Sequence, residues 1–253
     1  LSGWLRVVGL GPGDAHWITP EVQAILSEAS DLVGYESYLA RLTPGPSQSL
    51  HATPNRVELD RAQAALELTA GGARVAVVSG GDPGIFAMAS AIMEALEHGP
   101  PAWRNLDVGI APGISAMQAA AARLGAPLGH DFCAISLSDN LKPWSIIERR
   151  LRAAVAGDFV IALYNPASRA RPAQIGLALE LLRATAGGER YVALARGIGR
   201  AEEHVQVTSL ADVDPAAIDM RTLVLIGSSQ TRLFPRGQTG AWLYTPRRYE
   251  AAP

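Results

Sequence analysis

Short runs rich in Val, Ile and Leu alternate along this chain with longer segments of helical periodicity, and most of the runs end in a turn rich in glycine and proline. LRVVGL is followed by TPEVQAILSEAS and then DLVGY; ARVAVVS is followed by IFAMASAIMEALEHG and then DVGIA. That alternation predicts an α/β fold on a largely parallel sheet. Helix ends are well marked: Thr19, Pro20 and Glu21 supply a cap, a first-turn proline and an early acid, while Gly71-Gly72 and Gly187-Gly188 read as C-terminal glycines. ALELTAGGARVAVV and ALELLRATAGGERYVALA repeat one helix-to-strand turn, a unit too short to indicate a duplicated fold. GAPLGHDF, from Gly125 to Phe132, breaks the helical period and carries glycines and a proline. Two domains are therefore expected, 1–124 and 132–253, joined by a linker over 125–131. The second half continues with strands CAISL, DFVIALY, RYVALA, HVQVTSL and RTLVLIGS, and helices KPWSIIERRLRAAVAG and AQIGLALELLRATAG. From about Gln230 the tail reads as irregular.

A length of 253 residues suits one large or two modest domains, and 48% hydrophobic with 18% charged residues suits a well-filled core. A net charge of −2 excludes the strong basic excess of a general nucleic-acid binder. The one cysteine, Cys133, excludes an internal disulfide and a multi-cysteine zinc or iron–sulfur site within one chain, so no metal is expected. No apolar run approaches the roughly 20 residues of a membrane span and no signal-peptide pattern opens the sequence, which leads to the expectation of a cytoplasmic protein without membrane partners. Lys142 is the sole lysine, so nearly all basic residues are arginines, the better side chain for gripping carboxylates with a planar fork.

In open α/β sheets ligands bind beyond the carboxyl ends of the strands, so the turns there carry the search for chemistry. VVGLGPGDAHWITP, Val7 to Pro20, looks at first like the dinucleotide fingerprint. It departs from it at two places: Asp14 stands where the third glycine belongs, and Pro12 has no N–H for a pyrophosphate. Gly9, Gly11 and Gly13 still permit close approach to a ligand. Later turns have the same character: GGDPGIF over Gly80–Phe86, PGISA over Pro112–Ala116 and YNPASRARP over Tyr164–Pro172.

VVGLGPGDAHWITPEV, SGGDPGIF and APGISAMQAAAARLGAPLGHDF resemble the signature segments of the tetrapyrrole methyltransferases over roughly Trp4 to Ser229. Within that family, ISLSDNLKPWSIIERRL and ALYNPASRARPAQ are similar to the branch that methylates C(17) of precorrin-3B. The resemblance implies two α/β domains with S-adenosylmethionine in a cleft between them, and a homodimer. It implies methylation at C(17) coupled to ring contraction, giving precorrin-4 in oxygen-dependent cobalamin synthesis; channelling of substrate with neighbouring pathway enzymes stays open beside that reaction. By the same resemblance Pro12, Gly80, Gly81, Asp82, Ile85, Ser115 and Ala116 contact the cofactor, joined by Tyr164, Asn165, Gly197, Ile198 and Thr222 around the adenine. Gly11 helps shape the substrate site, and Asp82 lies near the positive end of the cofactor.

Methyl transfer needs alignment of a ring carbon with the sulfonium methyl and no nucleophilic side chain. Ring contraction benefits from an acid or base. Glu36, in the turn after DLVGY, matches a position where relatives carry such a carboxylate; Asp139 is a second catalytic candidate or else a helix cap. The substrate is rich in carboxylates, and Lys142, Arg169, Arg171 and Arg196 are the cations expected to hold them. His51 and His130 receive no primary role, and Glu148-Arg149-Arg150-Leu151-Arg152 reads as a solvated helix face. Three alternatives stay open: a cobalt-containing substrate in the anaerobic pathway, a nicotinamide-dependent oxidoreductase with Glu36 on the ribose, and a non-catalytic protein that sequesters a tetrapyrrole or passes it to the next enzyme, against which the intact set of cofactor turns argues.

Overall fold

The apolar runs of the first half become strands of one sheet because their residues divide between its two faces. A computed structural model describes residues 3–54, 57–168, 170–238 and 240–249. The first unit, which ends at Ser115, contains β1 (Trp4–Gly9), α1 (Pro20–Glu28), β2 (Asp31–Tyr35), α2 (Glu36–Leu39), β3 (Ser49–Thr53), α3 (Glu58–Ala70), β4 (Arg74–Ser79), α4 (Met88–His98) and β5 (Asp107–Ala111). Strand order is β3-β2-β4-β1-β5, and every pair is parallel. Leu5, Val7, Val75 and Val77 pack with Leu66 and Ile92 of α3 and α4, while the alternate residues Val8, Ala76 and Val78 pack with Val22 of α1 and Leu39. Side chains of a strand alternate between faces, so a strand buried on both reads as one apolar run. The Thr19 hydroxyl accepts from the Val22 N–H at 3.3 Å and starts α1 as expected. Strand β3 was not anticipated: SLHAT is an edge strand with mostly exposed positions and no apolar run to mark it.

The second unit begins at Ala116 with α5 (Ala116–Leu124), β6 (Gly125–Ala126), β7 (Phe132–Ser136), α6 (Trp144–Ala156), β8 (Val160–Tyr164), α7 (Gln174–Ala186), β9 (Tyr191–Arg196), β10 (His204–Ser209), β11 (Thr222–Ile226), β12 (Arg232–Arg236) and β13 (Gly240–Tyr244). Its main sheet has the order β10-β9-β11-β8-β7, and there only β7 and β8 run parallel. The expectation of a largely parallel sheet thus holds for the first unit and fails for the second. Residues 197–203 between β9 and β10 are too few for the crossover that a parallel return requires. Leu151, Ile161, Leu163, Leu179 and Val224 form the centre of its core.

Three further expectations are corrected. The units divide between Ser115 and Ala116, before α5 rather than after it, because α5 packs on β6, β11 and β13. The segment over 125–131 is no free linker: Gly125 and Ala126 pair in parallel with Leu243 and Tyr244. Nor is the tail irregular, since β12 and β13 form an antiparallel hairpin. Buried hydroxyls fasten both segments. Thr245 Oγ1 donates to Pro127 O at 2.7 Å and lies 2.9 Å from Thr231 Oγ1, which accepts from the Ser228 N–H. Thr245→Val would leave these buried partners short of a hydrogen bond, at a cost of about 1–3 kcal/mol. The expected result is a lower urea midpoint with an unchanged far-ultraviolet circular dichroism spectrum.

Candidate active site

In the first unit β4, β1 and β5 are neighbours, so the turns leaving their carboxyl ends meet. Gly11 and Gly81 exchange backbone hydrogen bonds, N–H to O, at 3.2 and 2.9 Å, and both have φ +66°. A Cβ at Gly9 would fall 2.5 Å from Gly81 O, and one at Gly113 would fall 2.3 Å from the same atom. No side chain fits at that separation, so these glycines serve the approach of the three turns to one another. Asp82 joins the same contact. Its Oδ2 accepts from the Gly113 N–H at 3.0 Å and its Oδ1 from the Gly84 N–H at 2.8 Å, tying the turn after β4 to the turn after β5.

Arg41, which sequence reasoning did not single out, completes the arrangement. Its Nη2 donates to Leu10 O at 2.8 Å, to Gly11 O at 3.1 Å and to Gly13 O. One guanidinium thus collects carbonyls on both sides of Pro12. No motif marks this arginine, because its partners are main-chain atoms some thirty positions earlier. Asp14 accepts from the His16 N–H at 3.0 Å, and that bond, followed by the His16 side chain, holds its carboxyl below the ordinary value. Glu36 is exposed and opens α2 immediately beyond β2; Ser115 is buried, and Ile85 is partly exposed. Among the turns after β1, β4 and β5 there is no lysine or arginine, whereas Asp14 and Asp82 are present. Those carboxylates suit a ligand with positive charge and no phosphate, since the neighbouring Arg41 guanidinium is turned to main-chain carbonyls.

In the second unit the candidates form a row at one end of the sheet: Arg196 closes β9, Thr222 opens the adjacent antiparallel β11, Tyr164 closes β8, and Ser136 closes β7 beside it. Tyr164 Oη accepts from the Met117 N–H of α5 at 3.2 Å. Asn165 has φ +52°, a left-handed conformation unusual outside glycine, and its Nδ2 donates to Ser136 Oγ at 2.9 Å. Phe86, at φ +53° in the turn after β4, is a second such residue. Gly197 carries φ +59°, and the Ile198 side chain is buried, which leaves its backbone as the part able to face a ligand.

Several side chains are already engaged. Thr222 Oγ1 donates to Asp219 Oδ1 at 2.9 Å, and Arg196 Nε pairs with Asp219 Oδ2 at 3.0 Å. Asp139 caps no helix, since α6 starts after Pro143 without a side-chain cap. Its Oδ2 accepts from Gln174 Nε2 at 2.9 Å and its Oδ1 lies 3.9 Å from Arg171 Nε. Arg171 also donates to Leu137 O at 3.4 Å. Lys142 Nζ donates to Ser138 O at 3.0 Å. Burial, then repulsion from Arg150 and Arg171, brings its pKa below the usual lysine value, partly offset by Asp139. Lys142, Asp139 and Arg171 therefore stand together, Arg196 stands apart with Asp219, and Arg169 lies outside the described residues.

Residues 5–214 match the family of Tetrapyrrole (Corrin/Porphyrin) Methylases. The chain belongs to that family and is a methyltransferase of this class. It is 52% identical over 252 residues to the precorrin-3B C(17)-methyltransferase of Sinorhizobium sp, covering all of this chain and 99% of that protein. It is 46% identical over 256 residues to the cobalamin biosynthesis protein CobIJ of Mycobacterium tuberculosis, of whose length the match spans 49%. The crystal structure of the methyltransferase CobJ superposes with a TM-score of 0.91 at 54% identity, covering 97% of this chain and 100% of that one.

Two outcomes test this geometry. Arg41→Met removes the shared donor of three carbonyls, and the expected result is at least tenfold weaker S-adenosylhomocysteine binding by calorimetry; the charged bonds lost are worth about 1.5–3 kcal/mol each. For Asp219, burial raises the pKa, but bonds from Thr222, the Arg221 N–H and Arg196 together bring it below the ordinary carboxylate value. A depressed folded pKa contributes stability that is present above the unfolded value of about 3.9 and lost as pH falls through the folded one. Asp219→Asn is expected to lower the urea midpoint at neutral pH, with the gap to the parent protein closing below about pH 4.

Proposed function

We propose that the protein transfers a methyl group from S-adenosylmethionine to C(17) of precorrin-3B and promotes contraction of the ring to precorrin-4. The observation that carries this reading is identity above 50% along the full chain with proteins of that description, combined with a set of phosphate-averse glycine turns at the carboxyl ends of adjacent parallel strands. When bound, the cofactor supplies an electrophilic methyl on a sulfonium whose positive charge is lost as the methyl leaves. The turns after β1, β4 and β5 hold its methionine part through the backbone of Pro12, Gly80, Gly81 and Asp82, with Ile85, Ser115 and Ala116 alongside. Asp82, fixed by the N–H groups of Gly84 and Gly113, keeps a carboxylate in that neighbourhood. Tyr164, Asn165, Gly197, Ile198 and Thr222 serve the adenine end, Thr222 through its backbone because its hydroxyl is bonded to Asp219.

Lys142 and Arg171 hold substrate carboxylates, with Asp139 and Gln174 setting the orientation of the guanidinium. Arg196 is the weaker candidate for that role, since Asp219 already neutralises it. Glu36, exposed beyond β2, moves the proton that ring contraction requires. Cytoplasmic location and homodimeric assembly belong to the same reading.

The test is anaerobic incubation of the pure protein with precorrin-3B and methyl-labelled S-adenosylmethionine, followed by absorbance and product mass. One labelled methyl with the spectrum of a contracted ring is expected. Turnover only with the cobalt-containing precursor would move the assignment to the anaerobic reaction. Glu36→Gln is expected to slow contraction by about 10²–10⁴-fold while S-adenosylhomocysteine affinity stays unchanged.

A further inference from the structure

The hairpin β12–β13 presents a face that no step of methyl transfer uses. Its register pairs Arg232 with Tyr244, Phe234 with Trp242 and Arg236 with Gly240. Strand pleating therefore sets Arg232, Phe234, Arg236, Trp242 and Tyr244 on one side, while Leu243, 1% exposed, points into the unit from the other. The outward side is aromatic and basic together. Phe234 is 47% exposed and meets Tyr244 edge to face at 5.6 Å; the Arg236 guanidinium lies 4.0 Å from the centre of the Trp242 ring. Among the described residues Arg236 has no carboxylate partner.

Beside these rings is a hollow of about 520 Å³ lined by Gly125, Ala126, Phe234, Trp242 and Tyr244. The hollow opens widely to solvent, so a flat ligand can lie across it rather than inside it. Its floor is kept low by Gly125, whose φ is +127° and where a Cβ would meet Leu243 O at 2.9 Å and the Trp242 ring at 3.2 Å. A large side chain is thus excluded at the position that would otherwise fill the hollow.

We propose that this face docks an acidic tetrapyrrole macrocycle, its flat ring on Phe234, Trp242 and Tyr244 and its carboxylates on the neighbouring guanidiniums. Charge and shape select that occupant. Aromatic faces attract a planar ring, and a guanidinium stacked on indole keeps its in-plane N–H groups available to carboxylates. Pro235 in β12 has no N–H, and arginines stand at both ends of that strand, which disfavours a strand added from a second chain. None of the residues assigned above to cofactor or substrate lies on β6, β12 or β13. The ligand's identity rests on the tetrapyrrole reading given under Proposed function; the face itself does not.

Uroporphyrin I, a stable planar octacarboxylate, is the probe, titrated by calorimetry into the intact protein saturated with S-adenosylhomocysteine. Two porphyrins per chain are expected, both weakened by added salt because each is held through carboxylates. The combined substitutions Phe234→Ser, Trp242→Ser and Arg236→Gln should leave one, with kcat on saturating precorrin-3B unchanged. Arg236→Gln alone, which keeps all three aromatic rings and gives up only the stacked guanidinium, should weaken the second site about tenfold while the far-ultraviolet circular dichroism spectrum stays unchanged. One porphyrin per chain in parent and variant alike would overturn the proposal. So would sedimentation showing a dimeric parent and a monomeric triple variant, because the face would then hold a second copy. If the parent fails to methylate precorrin-3B, the proposed reaction falls, and the porphyrin stoichiometry still decides this inference separately.

Discussion

Backbone contact between the turns after β1, β4 and β5 is the constraint on which the first unit's site depends. It exists because the parallel sheet places those strands side by side, so that turns far apart in sequence leave the same edge together. The contact has no room for a Cβ at Gly9 or Gly113. Close approach also brings carbonyls together without enough main-chain donors, and the chain answers with two side chains of opposite charge. Arg41 collects the carbonyls around Pro12, and Asp82 collects the N–H groups of Gly84 and Gly113. Charged groups suit this task because hydrogen bonds to them are stronger than neutral ones.

In the second unit several of the candidate side chains are held by other side chains. Thr222 and Arg196 both converge on Asp219, Asn165 reaches Ser136, and Asp139 sits between Gln174 and Arg171. Strain sits at corresponding points: Phe86 and Asn165 take left-handed conformations in turns that follow strands. Such conformations persist only where the surroundings over-determine them, and they gather at ligand-binding turns.

Much of this was legible in advance, and the misses have common causes. The strands whose residues are buried on both faces, such as RVAVVS and VIALY, announced themselves as apolar runs. Strands β3, β12 and β13 did not, because strands with many exposed positions lack that signal, whether they lie at an edge as β3 and β12 do or between two partners as β13 does. The boundary was placed after α5 because the loop chemistry of GAPLGHDF is visible in sequence, whereas the packing of α5 on β11 and β13 is not. The close approach of the turns was signalled by their glycines, whereas Arg41 gave no signal, since a side chain that bonds to carbonyls leaves no pattern in neighbouring residue types. The helix-cap reading of Asp139 failed because its carboxylate is bonded to Gln174, a partner far away in the chain.

By itself, then, the sequence determined the α/β character, the capped helices and the glycine turns with their carboxylates, because each of these depends on residues within a few positions of one another. The longer family segments carried the assignment to the tetrapyrrole methylases. Only the tertiary structure decided that the second sheet is mixed, that the tail is a hairpin with an aromatic and basic face, that Asp82 ties the turn after β4 to the turn after β5, and that Arg41 gathers the carbonyls of the turn after β1. Those outcomes depend on strand order and on hydrogen bonds between distant segments, which local chemistry permits without specifying.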